Sequence, residues 1–156
     1  MRYVAILAAL SLLSVCISGC TGTSQPTTEE IKSSISTGLK NGTVVLFFRQ
    51  DNCPECVKAE PKIADLKTEY SGKNVTFLTI SVDQSSAKPI GQTYAVYSTP
   101  TTIVLYQNGT EAKKLLGDFE KDTLKTAIDS ALNASVVKVT RTSTAKVTRT
   151  STAKIQ

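Results

Sequence analysis

The chain contains no histidine in its 156 residues. That absence removes Ser-His and Cys-His nucleophile pairs and every metal site that needs an imidazole. It also lacks a second closely spaced cysteine pair. Of its four cysteines, Cys16 and Cys20 lie in or just after an N-terminal apolar run, so Cys53 and Cys56 are the only two left for a folded body. A structural zinc site within one chain is thereby disfavoured, because it takes four ligands. A basic footprint for nucleic acid is missing too. Of 18 Lys and Arg, Arg2 heads the chain and five (Lys138, Arg141, Lys146, Arg149, Lys154) occupy a tail with no acid, which leaves 12 against 13 Asp and Glu. The formal charge of +5 therefore belongs to the tail, and nucleic acid is not an expected partner. The length suits one core with an appendage or two, not two cores.

The N-terminal apolar stretch, Val4 to Ile17 after Met1-Arg2, has the length of a secretory h-region and is short for a spanning helix. It ends in Ile17-Ser18-Gly19-Cys20, which resembles the lipobox of prokaryotic lipoproteins. The resemblance implies cleavage before Cys20 and a lipid on that cysteine. An uncleaved anchor, or a plain signal with a chance cysteine, are the other readings; all put the body outside the cytoplasm. Thr21 to Thr27 is small, polar and punctuated by Gly22 and Pro26, as in a linker. Seven residues reach at most about 25 Å when extended, so the domain is expected close to the membrane, with surface or membrane proteins in reach.

In the body, Thr27-Thr28-Glu29-Glu30 fits a capping box, and Ile31, Ile35 and Leu39 follow at helical spacing up to Asn41-Gly42. Thr43 to Arg49 is an unbroken β-branched and aromatic run, the pattern of a strand buried on both faces. After Cys53 the pattern turns helical through Val57, Ile63, Leu66 and Tyr70, and Gly72 closes it. Val75 to Val82 reads as a strand, and Ser85 to Tyr94 as a short helix interrupted by Pro89 and Gly91. Thr101 to Tyr106 reads as a strand that Asn108-Gly109 folds back onto Glu111 to Leu116. Asp118 is expected to cap a last helix carrying Phe119, Leu124, Ile128 and Leu132. Strands separated by helices are expected to run parallel and the closing hairpin antiparallel, giving a mixed sheet covered on both faces.

Cys53-Pro54-Glu55-Cys56 falls where a buried strand ends and a helix begins. Unpaired N–H groups and partial positive charge at a helix N-terminus favour a thiolate on Cys53, the expected attacker. Cys56, one turn on, is placed to resolve the mixed disulfide. With Pro61 five residues past Cys56, Val82-Asp83-Gln84, Thr99-Pro100 before a strand, and Gly117 after the last strand, the chain resembles the thioredoxin superfamily over roughly Glu29 to Leu132. The resemblance implies an α/β thioredoxin-like fold with a central mixed four-stranded sheet and helices on both faces. It also implies a redox-active Cys53–Cys56 pair with no further cofactor and no metal. In the family, the proline matching Pro100 is cis and faces the disulfide, and the backbone at Thr99 holds a substrate strand. The family tryptophan before the first cysteine is Asn52 here, its Gly-Pro is Pro54-Glu55, and its buried strand aspartate falls at Phe47. Glu55 or water is then left to accept a proton near Cys56.

The expected function is a membrane-anchored, extracytoplasmic thiol–disulfide oxidoreductase acting as a monomer. Its partners would be client proteins with disulfides, a membrane electron donor, and lipid through Cys20. A static structural disulfide, a copper-binding or delivery module on the same cysteines, and a peptide-binding or chaperone role are the alternatives. Four of the five asparagines head Asn-x-Ser/Thr: Asn41, Asn74, Asn108 and Asn133. Asn41 and Asn108 also precede glycine in turns, and sequons beside a lipobox point to a glycosylating archaeon. Lys138 to Ala145 is repeated without change at 146–153, a unit too polar to build a core. It reads as a disordered tail or as a cationic tether to anionic lipid or wall polymer. The division is 1–19 signal peptide, 20–27 linker, 28–134 domain and 135–156 tail.

Overall fold

The computed structural model describes residues 25–147, with side chains to residue 134. The segment expected as a signal, Cys20 and all but the first two residues of the second repeat copy lie outside the described residues. Helix α1 (Thr28–Asn41) opens on the expected capping box. Thr27 Oγ1 accepts from the Glu30 amide at 3.2 Å, and Glu30 Oε2 accepts from the Thr27 amide at 2.7 Å. The chain continues through β1 (Thr43–Arg49), α2 (Pro54–Glu69), β2 (Val75–Ser81), a 3-10 turn at Ser85–Ala87, α3 (Lys88–Thr93), β3 (Thr101–Leu105), β4 (Glu111–Leu116) and α4 (Lys121–Val147). Pro89 does not interrupt α3, because it sits in the first turn, where no amide proton is needed. Nothing stops α4 at 134 either. No Gly or Pro follows Gly117, and the helix runs through the boundary drawn from composition and through the first repeat copy to Val147.

The four strands lie in the order β2-β1-β3-β4. β1 and β2 are parallel, but β3 runs antiparallel to β1, with Phe48 opposite Thr101. This corrects the expectation that helix-separated strands run parallel. Six residues of α3 advance only about 9 Å, too little to carry the chain back along a strand. The chain therefore stays at the end of the sheet where β2 finishes and enters β3 there, heading the other way. That reversal brings Thr99-Pro100 to the same end as the Cys53 loop.

β1 is buried on both faces, and its side chains divide by the period of two. Val45 and Phe47 pack with Val104 against Ala59, Ile63 and Leu66 of α2, Tyr70 just past its end, and Leu124 and Ile128 of α4. Val44, Leu46 and Phe48 pack on the other side with Ile31 and Ile35 of α1, Ile90 of α3, and Ile103 and Leu105. Two cores thus clamp one central strand, which fixes the position of the loop that follows it.

Candidate active site

The loop after β1 turns sharply at Asn52, whose φ of 55° lies in the left-handed region. Asparagine tolerates this conformation better than a bulky residue, because its short side chain meets little resistance there. Here the structure supplies a reason for asparagine before Cys53 that sequence pattern alone did not show. Cys53 then takes the N-cap position of α2 with extended backbone, and Pro54 follows in the first turn. Cys53 Sγ accepts a hydrogen bond from the Cys56 amide at 3.1 Å, the place an N-cap oxygen would take.

Cys53 and Cys56 are joined in a disulfide with Cα atoms 5.2 Å apart. Their exposures differ: Cys53 is half-buried, whereas Cys56 is fully buried at 0 %. One sulfur is open to a partner and the other only to its neighbour. Pro54 and Glu55, between them, are exposed.

Two contacts brace the loop from the segments after β2 and before β3. Asp83, within the Val82-Asp83-Gln84 motif, accepts from the Asp51 amide through Oδ2 at 2.6 Å. Thr99 Oγ1 donates to Gln50 Oε1 at 3.3 Å, which ties the segment before β3 to the one before Cys53. The Thr99–Pro100 bond is cis, as the resemblance implies. The Pro100 carbonyl accepts from the Gly117 amide at 2.9 Å, with Gly117 at φ 72°, so the end of β4 joins the same cluster.

Phe47, at the position of the family aspartate, is 2 % exposed and lies wholly in the core. Glu55 pairs with Lys58 at 2.8 Å on the exposed side of α2, and this hydrogen bond, reinforced by the carboxylate charge, holds the Lys58 ammonium above its ordinary pKa. A different carboxylate enters a cleft of about 360 Å³ beside Phe47, lined also by Arg49, Glu60, Ile63, Lys67 and Thr79. Glu60 Oε1 lies 2.7 Å from Arg49 Nε without hydrogen-bond alignment, so the pair is electrostatic. No periodicity announces it, since the partners belong to different elements.

Asp118 is not a helix cap. α4 starts three residues later, at Lys121, and Asp118 Oδ1 accepts from Lys62 Nζ at 2.7 Å and from the Phe119 amide at 2.9 Å. The bond from Lys62 is the main reason its carboxyl stays below the usual range. Lys62 also donates to the Phe119 carbonyl at 2.7 Å, which anchors α2 to the start of the last helix.

Comparison with known proteins supports the same fold and residue order. A family model described as Thioredoxin matches residues 23–130. Thioredoxin M2 of Arabidopsis thaliana chloroplasts is 34% identical over 91 residues, covering 58% of this chain and 47% of that one. The thioredoxin of Chlamydia trachomatis is 33% identical over 96 residues, covering 62% of this chain and 85% of its own. A Synechocystis homolog of the thiol:disulfide interchange protein TxlA is 32% identical over 85 residues, covering 54% of this chain and 47% of that one. The chain spans about half the length of the chloroplast relative it matches. A mutant thioredoxin of Halobacterium salinarum NRC-1 superposes with a TM-score of 0.55 at 24% identity, covering 67% of this chain and 84% of that one, and shows the fold. With the family model spanning residues 23–130 around the Cys53–Cys56 disulfide, the chain belongs to the thioredoxin family.

Proposed function

We propose that the protein is a thiol–disulfide oxidoreductase held on the outer face of the cell membrane by a lipid on Cys20, and that it reduces disulfides of client proteins. One observation carries the chemistry: a half-exposed Cys53 at the N-terminus of α2 is linked to a fully buried Cys56. In the dithiol form, the α2 amides stabilise negative charge on Cys53 Sγ. That thiolate attacks one sulfur of a client disulfide, forming a mixed disulfide and expelling the client's other sulfur as a thiolate. Cys56 then loses its proton and attacks Cys53 Sγ, closing the Cys53–Cys56 bond and releasing the second client thiolate. Two electrons pass to the client, and a dithiol donor at the membrane restores them.

The backbone at Thr99-Pro100 is the shelf on which an extended client segment lies beside Cys53. Pro100 offers no amide proton there, which leaves the Thr99 backbone groups to the client. The lipobox at Ile17–Cys20 and the linker support the membrane placement. The test is insulin reduction with a small dithiol as electron source. Many insulin disulfides should be cleaved per protein molecule. Absence of turnover with stoichiometric Cu(I) uptake on Cys53 and Cys56 would instead establish a metal-binding module.

A further inference from the structure

We propose that the end of the molecule opposite the disulfide carries N-linked glycans, on Asn41, Asn74 and Asn108; the proposal rests on the extracytoplasmic placement argued above. The one asparagine outside a sequon, Asn52, adjoins Cys53. The three proposed sites gather at the other pole. Asn41 ends α1 just before β1 begins, Asn74 immediately precedes β2, and Asn108 lies in the turn between β3 and β4. Because Thr43 pairs with Val75 and Val44 with Leu105, all three sit where β1 and β2 start and β3 ends. Their loops touch: the Thr43 amide donates to the Asn74 carbonyl at 3.0 Å, and Gln107 Nε2 donates to the Lys40 carbonyl at 3.4 Å. All three asparagines are exposed. Asn133, also exposed, heads a fourth sequon in α4 whose Ser135 side chain lies outside the described residues.

Folding accounts for only part of these tripeptides. Gly42 is required because a Cβ there would lie 2.1 Å from the Asn74 carbonyl oxygen, and Gly109 adopts φ +82°. Neither fact explains the hydroxyl of Thr43. It is buried without a hydrogen-bond partner among the described residues, at a strand position where valine would leave no orphan polar atom. A sequon requires a hydroxyl at that position, so Thr43 has a use while the chain is still unfolded and Asn41 is accessible. Thr102 also buries an unpartnered hydroxyl and lies in no sequon, so the grouping of the three sites carries the proposal as much as Thr43 does. At Asn108 the acceptor arrangement survives folding: Thr110 Oγ1 and the Thr110 amide donate to Asn108 Oδ1 at 2.7 and 3.0 Å.

The donor class is an oligosaccharide linked through phosphate to a membrane lipid. Its C1–O bond to phosphate breaks, a C1–N bond to asparagine Nδ2 forms, and the amide proton leaves as the carrier phosphate departs. Sugars at this pole leave the Cys53 end clear for clients.

The test is mass spectrometry of the full chain purified from its native host, reading the N-terminal peptide together with the three asparagine sites. Hexose-containing mass increments are expected on Asn41, Asn74 and Asn108, in a chain that begins at a lipid-bearing Cys20. Thr43→Val should remove the increment at Asn41 alone and raise the thermal midpoint, whereas Thr43→Ser should retain the increment. A lipid-bearing chain with bare asparagines overturns the glycan proposal while leaving export intact. A chain that still begins at Met1 and is recovered from the cytoplasm overturns the export reading, and this proposal with it.

Discussion

Cys53 and Cys56 are chemically identical side chains made unequal by position, one half-buried at a helix cap and one at 0 % exposure. Exposure decides which sulfur a client reaches first. Cys53→Ser should therefore reduce insulin turnover to background, while Cys56→Ser should capture clients as stable mixed disulfides on Cys53, visible as reductant-sensitive adducts on a gel. Equal capture by both variants would refute the division of roles. These two residues were legible in the sequence because their chemistry depends on a short local spacing. The Arg49–Glu60 pair, the Asp83 contact to the Asp51 amide and the Thr99–Gln50 hydrogen bond were not. Each joins residues from separate elements, and only the folded topology makes them neighbours. Asn52 falls between these cases: it reads as a departure from the family pattern until its positive φ is seen.

Among the elements, α1 was readable to its first residue because capping is a local reaction of side chains with their own backbone. Thr27→Ala removes the side-chain half of the capping box, the Oγ1 that accepts from the Glu30 amide, while the residue 27 amide keeps its bond to Glu30. The change should cost about 1 kcal/mol in unfolding free energy, measured by denaturant titration. The direction of β3 was not readable, since it depends on the reach of α3 and not on β3's own residues. The junction of α2 with α4 makes a pH-dependent contribution. Tyr70, at the end of α2, donates to Asp129 Oδ1 of α4 at 2.6 Å. Burial first, and then this bond to a carboxylate, raise its pKa from the ordinary 10.0. The folded state thus keeps a proton that the unfolded chain releases, so the contribution is full below about pH 10 and declines as pH rises above it. Tyr70→Phe should lose about 1 kcal/mol at neutral pH, the value of the hydrogen bond. Its unfolding free energy should also fall less steeply than wild type above pH 10. Parallel curves for the two proteins would show that Tyr70 ionises alike in both states.

At the scale of the whole molecule, the sheet has a chemical end and a plain end, and α1 starts at the chemical one. Thr28 Oγ1 donates to the Ser86 carbonyl at 2.8 Å, fixing the start of α1 beside the turn after β2, at the end of the sheet where Cys53 emerges. A lipid on Cys20 would thus hold the disulfide on the membrane side of the domain, within about 25 Å of linker. The catalytic groups all lie in residues 28–134, and no described helix is long and apolar enough to cross a membrane. Anchoring and chemistry should therefore separate cleanly. Cys20→Ala should move the protein from the membrane fraction to the soluble one and remove the lipid mass, while insulin reduction per molecule in solution stays at the wild-type rate. A second attachment through the cationic repeats would be electrostatic and sensitive to salt. If the variant still sediments with membranes at low ionic strength and is released as salt is raised, the tail is a tether in its own right. If it stays bound at every salt concentration, the N-terminal apolar segment is an uncleaved anchor and the lipid reading fails.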